Sequence, residues 1–403
     1  MINDNNKHSW CVNADHAMSA NNNGTTKICC MINNREAMAV GNDTIMDNFN
    51  KPEFIKIRNA LQEGERHHAC DLCWQEEDAG RKSKRLRDNE KYLDHLKKGG
   101  KPFTGLAKFE LNLGNTCNLR CRTCAPYASS QWTREQFDLY EFKNYKGNFK
   151  VYADQQKKYH MTYDEESPFW PDLEQNLDNI TQFDFYGGEP FMSKKMWSIL
   201  ELCVEKDVAK NIELHYATNA THWPEDKIKV FKHFKHVNLN FSIDGIGPVF
   251  EYMRYPAVWD EAVANMQKAT KLKKEHDHIH VSWCITISTI NIYDLPDILE
   301  EHHNNWQHFG AYLNLVHHPS HFNLSNMPDE VRDVIVQRLE SIPKHHETMW
   351  HHYLPGVINF IKNGVGNKKM FNEFRHRINL HDEYRKQHFT KVFPEYAKAI
   401  GFQ

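Results

Sequence analysis

Three cysteines occur within eight positions, in the segment GNTCNLRCRTCAP at residues 114–126. Cys117, Cys121 and Cys124 have the spacing C-x3-C-x2-C, which lets one short loop wrap a corner of a metal centre. Thiolates select iron–sulfur clusters or zinc. A structural zinc site uses four protein ligands, whereas three leave one position open to a cofactor or substrate. From the spacing alone, a zinc site with a fourth ligand elsewhere in the chain is an alternative.

A second pattern of cysteines lies near the N-terminus. Its last two members form a C-x2-C pair, and Gly24 lies five residues before Cys29. Cys30 adjoins Cys29 and could replace it as a ligand. Taken by itself, the set is typical of a zinc site. The four cysteines of this second pattern are Cys11, Cys29, Cys70 and Cys73.

Short polar motifs follow several of the predicted strands. Two adjacent glycines let a backbone approach a ligand closely, and the glutamate after them is a fixed acceptor for an amine. The polar side chains that end the next two strands are suited to ligand hydroxyls, and Arg254 could pair with a carboxylate. Each motif alone also reads as a simple turn. The residues concerned are Gly187, Gly188, Glu189, Pro190, Asn219, Ser242, Asp244 and Arg254.

Six strand-like runs alternate with amphipathic helical stretches from residue 106 onward. This alternation predicts parallel strands joined by helical crossovers. We therefore predict an α/β fold with a partial, TIM-like (β/α)6 barrel at residues 101–325, whose chemistry lies at the carboxyl ends of the strands. A small cysteine-rich domain and a connector helix would occupy 1–100, and a helical C-terminal region 326–403. The strand-like runs are 106–113, 180–186, 211–218, 236–243, 278–287 and 311–318.

The 403-residue chain carries a net charge of −3, which points to neither a nucleic-acid nor a membrane-surface partner. No apolar run is long enough to span a membrane, and the N-terminus lacks the apolar segment of a signal peptide. We therefore expect a cytoplasmic protein whose cysteines are ligands or packing residues. Residues 81–101 hold nine Lys or Arg against three Asp or Glu, for which a solvated helical face is favoured over a nucleic-acid patch.

Together, the motifs resemble the radical S-adenosylmethionine (SAM) superfamily over roughly residues 106–320. The resemblance implies that the cysteine loop binds a [4Fe–4S] cluster with one iron left for SAM. The glycine-rich motif would then contact the SAM amino group, the polar strand ends would lie near the ribose, and Arg254 would hold the SAM carboxylate. Two positions depart from the pattern: Thr123 replaces an aromatic residue near the adenine, and Ala220 replaces a glycine.

The N-terminal cysteines resemble the twitch domain, the shortened relative of the SPASM domain. That resemblance implies an auxiliary [4Fe–4S] cluster bound by all four cysteines, with the G-x4-C spacing selecting Cys29 rather than Cys30. In most relatives this module follows the barrel, whereas here it precedes it. A zinc site is the alternative for this set.

The resemblance implies an enzyme that cleaves SAM reductively to a 5′-deoxyadenosyl radical, which abstracts hydrogen from a peptide or protein substrate. The auxiliary cluster would accept an electron, giving a net oxidation, and a flavodoxin or ferredoxin-type protein would supply the reducing electron. One alternative is a dehydrogenase of a small molecule such as a sugar or nucleotide. Another, from a different class, is a zinc-binding interaction protein.

The many histidines show no ligand pattern along the sequence. His346 and His351 flank a glutamate as in a zinc-protease motif, but they are five residues apart rather than four and so face different directions. The pair His302–His303 lacks a partner motif. We therefore assign none of them to a metal from sequence.

Overall fold

The structure is a computed structural model that describes residues 3–32, 38–39, 43–159 and 168–402. Its described strands follow the hydrogen-bonded order β3-β2-β1-β4-β5-β6-β7-β8-β9. The pairs β1–β4, β4–β5, β5–β6 and β8–β9 are parallel, whereas β1–β2 and β2–β3 are antiparallel. The strands are β1 Ala17–Ala20, β2 Thr25–Lys27, β3 Met38–Ala39, β4 Lys108–Asn112, β5 Gln182–Tyr186, β6 Glu213–Thr218, β7 His236–Ser242, β8 Ile279–Ile287 and β9 Gly310–Leu315.

The six strand-like runs of the sequence become β4 to β9, which confirms the predicted α/β fold class. Alternating apolar residues explain β5 and β7, where every second side chain is buried. All five residues of β4 are buried, and Phe109 of β4 lies opposite Phe183 of β5. Burial on both faces is typical of a parallel sheet covered by helices.

Three short strands were not predicted. β1 runs parallel to β4, with Ala17 opposite Lys108 and Ala20 opposite Leu111. Its sequence, AMSA, contains no β-branched or aromatic residue, so propensity gives little indication of a strand. Pairing with β4, distant in sequence, stabilises it instead.

Helices fill most of the remaining described chain. In the N-terminal part, Ser83 caps α5 by accepting a hydrogen bond from the backbone N–H of Leu86, and Gly99 follows the helix with φ +83°. The helices before residue 255 are α1 Val12–His16, α2 Ile45–Phe49, α3 Pro52–Gln62, α4 Asp71–Asp78, α5 Lys84–Lys97, α6 Trp132–Gln136, α7 Phe149–Gln156, α8 Phe169–Gln175, α9 Lys194–Glu205, α10 Glu225–Ile228 and α11 Gly247–Met253.

The C-terminal region is helical, as predicted. α16 buries Leu354, Val357, Ile358 and Ile361, the spacing of one apolar helix face. The remaining helices are α12 Trp259–Glu275, α13 Leu295–Asn305, α14 Asp329–Glu340, α15 Glu347–His352, α16 Leu354–Lys362, α17 Lys368–Arg385, α18 Phe389–Val392 and α19 Pro394–Ala399. Among the described helices, none combines the length and apolar character that crossing a membrane requires.

The chain forms two compact units. The first unit comprises Met1–Thr116, Gln155–Tyr216 and Pro224–Asn238. The second comprises Cys117–Asp154, Ala217–Trp223 and Leu239–Gln403. The N-terminal cysteines and the glycine-rich motif therefore belong to the first unit, and the cysteine loop belongs to the second.

Candidate functional site

In the second unit, the cysteine loop pairs with the chain that follows α11. The backbone N–H of Arg120 donates to the carbonyl of Tyr255 at 2.8 Å, and that of Arg122 donates to the carbonyl of Met253 at 2.8 Å. The indole of Trp132 donates to the carbonyl of Cys121 at 2.9 Å. These bonds hold a loop without regular secondary structure in one conformation.

A buried arginine inside the loop anchors it to the C-terminal region. Arg122 donates through Nε to the carbonyl of Tyr252 at 3.1 Å and forms an ion pair with Asp382 at 2.5 Å. Its guanidinium lies 3.4 Å from the centre of the Tyr252 ring. Sequence analysis missed Arg122 because its acidic partner lies on α17, far along the chain. The only local indication of its role in the sequence is its position between two cysteines of the loop.

The three thiols of the loop are shielded from water to different extents. Cys117 is buried, and Cys121 and Cys124 are half-buried. Burial raises the pKa of the Cys124 thiol, and the neighbouring charges of Cys121 and Cys117 raise it further. Burial also raises the pKa of Cys121, which nearby Arg254 opposes. Because their pKa values are raised, these thiols ionise to thiolates only when a positive centre lies close by. A metal cluster supplies such a centre.

Asn219 lies beside the first cysteine of the loop. Its Nδ2 is 2.8 Å from Oδ1 of Asn118 and 3.8 Å from Sγ of Cys117. Its Oδ1 accepts hydrogen bonds from the backbone N–H and the hydroxyl of Thr221, at 2.9 and 2.7 Å. Asn118 is a further residue at this site that the sequence analysis missed, because its contacts with Asn219 and with the Thr221 hydroxyl, at 2.8 Å each, join segments that are distant in sequence.

Asp244 and Arg254 form a buried ion pair, with Oδ2 and Nη2 2.6 Å apart. Asp244 Oδ1 also accepts from the backbone N–H of Thr286 at 3.0 Å. Arg254 Nη1 lies 4.0 Å from Sγ of Cys121. Its buried Nε has no hydrogen-bond partner among the residues that the structure describes. The guanidinium is thus fixed at one end and retains a donor for a carboxylate. Ser242 ends β7 and is half-buried.

In the first unit, the glycine-rich motif follows β5. Gly187 and Gly188 have φ of +80° and +55°, a region that favours glycine. A Cβ on Gly188 would lie 2.4 Å from the carbonyl oxygen of Thr116, the residue before Cys117 in sequence. The backbone N–H of Glu189 donates to that same oxygen at 2.8 Å. Side chains larger than hydrogen are therefore excluded at Gly188.

A cavity of about 300 Å³ lies along this motif. Gly187, Glu189 and Pro190 line it together with Thr116. The carboxylate of Glu189 is buried, and its Oε1 accepts from the backbone N–H of Phe191 at 3.2 Å. This bond orients the carboxylate, a group that accepts hydrogen bonds from amines.

The four N-terminal cysteines also meet in the first unit. Cys11, Cys29, Cys70 and Cys73 all line one small cavity, whose other walls include Ala14, Ile28, Ile32 and Leu61. Burial raises the pKa of Cys11 and Cys70 to about 12. Cys30 is not among the residues lining this cavity, and its backbone N–H donates to Glu110 at 2.6 Å.

Two groups of three possible ligands bring their donor atoms within 4.8 Å of one another in the described chain. They are Cys29–Cys30–Glu110 and His303–His345–His346. Neither the cysteine loop nor the N-terminal set of four is such a group.

Comparison with known proteins bears on the domain that carries the loop. No curated protein matches the sequence. Among solved structures, SuiB of Streptococcus suis bound to S-adenosylmethionine is 12% identical, with 73% of this chain and 57% of SuiB covered and a TM-score of 0.38. The chain thus spans little more than half the length of SuiB. Native anSMEcpe with bound AdoMet and a Cp18Cys peptide is 15% identical, with 68% and 66% covered and a TM-score of 0.37.

A family model gives the clearest match. The model described as "Radical SAM superfamily" matches residues 111–301, a segment that begins in β4 and contains the cysteine loop, the glycine-rich motif and Arg254. Residues 111–301 therefore form a radical SAM domain.

Proposed function

We propose that Cys117, Cys121 and Cys124 hold the [4Fe–4S] cluster of this radical SAM enzyme, and that the N-terminal cysteines hold a second, auxiliary cluster. The enzyme would oxidise a peptide or protein substrate, with residues 1–100 as its auxiliary-cluster domain, 101–325 as its core and 326–403 as a helical extension. The observation that carries the proposal is the convergence of all four N-terminal cysteines on one cavity.

The SAM-binding roles follow from the polar groups described above. When bound, the cluster and SAM supply reductive cleavage of a C–S bond to give a 5′-deoxyadenosyl radical. Glu189 would accept hydrogen bonds from the SAM amine, because its carboxylate is already oriented by Phe191. Arg254 would hold the SAM carboxylate through Nε while Asp244 fixes the other end of its guanidinium. Asn219 and Ser242 would contact the ribose.

The auxiliary site would serve electron transfer rather than substrate binding. Four thiolates satisfy all four irons of a [4Fe–4S] cluster, so no iron position stays open for substrate. The apolar walls of the cavity limit water access, which tunes the potential of such a centre. A substrate that loses one hydrogen atom to the radical and one electron to this site, with release of a proton, is oxidised by two electrons. A flavodoxin or ferredoxin-type donor in a reducing cytoplasm would return the electron needed for SAM cleavage.

Turnover by cysteine variants tests this assignment. Reduced enzyme is incubated with SAM and with peptide and small-molecule fractions of a cell extract. Both 5′-deoxyadenosine and products lacking two hydrogen atoms are measured by mass spectrometry. Cys70→Ala/Cys73→Ala should abolish product formation but retain SAM cleavage, whereas Cys117→Ala should abolish both.

The matched control is Cys30→Ala, which removes a neighbouring cysteine that does not line the cavity. It should retain both activities. Product formation at wild-type rate in the Cys70/Cys73 variant would contradict the electron-transfer role, and products found only in the small-molecule fraction would contradict the peptide substrate.

A further inference from the structure

Three histidines that show no motif in the sequence come together in the second unit. His303 lies on α13, whereas His345 and His346 lie between α14 and α15. One ligand nitrogen from each lies within 4.8 Å of the other two. The ring centres are 4.2 Å apart for His345–His346, 4.5 Å for His303–His345 and 5.4 Å for His303–His346.

A carboxylate completes the cluster. Glu300 lies three residues before His303 on α13, a spacing that places both on one helix face. Its Oε2 is 3.5 Å from Nε2 of His345 and 3.4 Å from Nε2 of His346. The carboxylate of Glu300 therefore adjoins two of the three imidazoles, those of His345 and His346.

The most buried member of the cluster has a ring nitrogen without a well-aligned hydrogen bond. The His346 side chain is only 6% exposed, and within the described part of the chain its Nε2 has only the 3.4 Å ion-pair contact with Glu300. His345 and Glu300 are about half exposed, so an ion can enter from solvent.

We propose that Glu300, His303, His345 and His346 form a binding site for a divalent transition metal ion, with zinc as the fitting ion. Three imidazole nitrogens and one carboxylate oxygen are a closed tetrahedral ligand set for Zn²⁺. Iron–sulfur clusters are instead held mainly by thiolates, so this site is chemically separate from the cysteine sites.

The site would have a structural role. It joins α13 to the segment between α14 and α15, and so ties the C-terminal helices to the helix that precedes β9. None of its four residues belongs to the proposed SAM or cluster ligands, and the inference does not depend on the proposed function.

Zinc binding to the full-length, anaerobically purified protein with reconstituted clusters tests the proposal. Equilibrium dialysis against Zn²⁺ should give one bound ion more for the wild type than for His303→Ala/His346→Ala. Zinc K-edge X-ray absorption of the wild type should show nitrogen and oxygen neighbours for that ion. Zn²⁺ should also raise the unfolding temperature of the wild type but not of the variant.

The matched control is His351→Ala/His352→Ala, which removes two exposed histidines from α15. This variant should keep the extra zinc ion and the thermal shift. If the double variant at 303 and 346 does not fold, the half-exposed His345→Ala replaces it, with an expected loss of affinity of about tenfold or more. Folding is checked by an unchanged far-UV circular dichroism spectrum.

Two results would overturn the proposal. One is equal zinc stoichiometry in the wild type and the histidine variants. The other is a zinc spectrum dominated by sulfur neighbours, which would place the ion at cysteines.

Discussion

At the scale of single residues, Ala220 is the position where the chain departs from the superfamily pattern at some conformational cost. Its φ is +67°, in the left-handed region, and its side chain is buried. Its carbonyl accepts a hydrogen bond from Asn265 at 2.9 Å, which fixes the turn that follows Asn219. A glycine adopts this conformation without strain. The alanine preserves the backbone shape of the pattern at an energetic cost.

Ala220→Gly should therefore leave the stability of the protein nearly unchanged. The left-handed region costs a non-glycine residue about 1–2 kcal/mol, which is offset by about 0.5–1 kcal/mol of glycine backbone entropy and about 0.8 kcal/mol for the lost buried methyl group. The free energy of unfolding in urea measures the net change. Ala262→Gly, at a buried position of the right-handed helix α12, should instead destabilise by about 2 kcal/mol, since it loses both helix propensity and a buried methyl group. Equal losses in both variants would contradict the argument.

Residues of the candidate site differ in how far sequence could predict them. The cysteine spacing and the Gly187–Gly188 pair are local motifs, so a short stretch of sequence is enough to predict their chemistry. The half-buried Asn118 and the buried Arg122 are defined by contacts with Asn219 and Asp382, which lie far along the chain. Spacing cannot encode such contacts, and the histidine cluster was overlooked for the same reason.

At the scale of elements, α5 shows where a charge run was misread. The solvated face expected for residues 81–101 is wrong at the start of the helix, where Lys84 is largely buried. Its ammonium lies 3.1 Å from Glu110, 3.3 Å from Asp88 and 3.8 Å from Asp184. Lys108 shares all three partners, at 4.0 Å from Glu110, 3.0 Å from Asp88 and 3.4 Å from Asp184. The composition of residues 81–101 shows the positive charges of α5. It does not predict that carboxylates of β4 and β5 lie next to them.

Lys84→Met should destabilise the protein by about 3 kcal/mol, because the buried Glu110 and the half-buried Asp88 and Asp184 would then keep Lys108 as their one lysine partner in this network. Denaturant unfolding measures the loss. Lys98→Met is the control, since this exposed lysine pairs only with exposed Asp94 and should leave stability near that of the wild type. A similar loss of unfolding free energy for both substitutions would indicate that the Lys84 ion pairs do not contribute to stability.

α17 carries a histidine that makes stability depend on pH. His381 is buried, and its Nε2 lies 2.8 Å from the Tyr140 hydroxyl. Burial lowers the pKa of His381 to about 2, aided by the charges of Arg385 and Arg122. The unfolded chain takes up a proton near pH 6.5, but the folded protein does not. The stabilisation is therefore complete above about pH 6.5 and is lost progressively as the pH falls below it.

His381→Gln should reduce this pH dependence while keeping a partner for Tyr140. Between about pH 7.5 and 5.5, the wild type should lose about 1 kcal/mol more unfolding free energy than the variant. His376→Gln, at an exposed position of the same helix, should behave as the wild type. If the unfolding free energies of the wild type and His381→Gln changed in parallel with pH, His381 would not be the source of the pH dependence.

At the scale of the whole molecule, the alternation of strands and helices predicted the fold class because each βαβ unit has a strong local pattern. The sheet is nonetheless larger than the six predicted strands in the described chain, since β1, β2 and β3 extend it beyond β4. β1 pairs with β2 and, among the six predicted strands, with β4. The composition of β1 does not predict these pairings. The N-terminal cysteine region thus shares a compact unit with β4 and β5.

Metal content distinguishes the two-cluster enzyme from the zinc-protein alternative. Anaerobically prepared wild type should contain about eight irons per chain, from two four-iron clusters. The triple variant with alanine at Cys117, Cys121 and Cys124 should contain about four, and so should Cys70→Ala/Cys73→Ala. Iron and acid-labile sulfide assays measure both. Zinc without iron at these cysteines would refute both cluster assignments.

The pairing of β1 with β4 has a consequence for self-association of the sheet edge. β1 covers the backbone edge of β4, and the described sheet ends instead at β3, a strand of two residues. Short terminal strands give other chains little to pair with, whereas long bare edges recruit them. A chain truncated to begin at residue 101 would present the whole edge of β4. We expect light scattering to show that such a fragment self-associates. The N-terminal region would then limit aggregation, in addition to carrying the proposed cluster ligands.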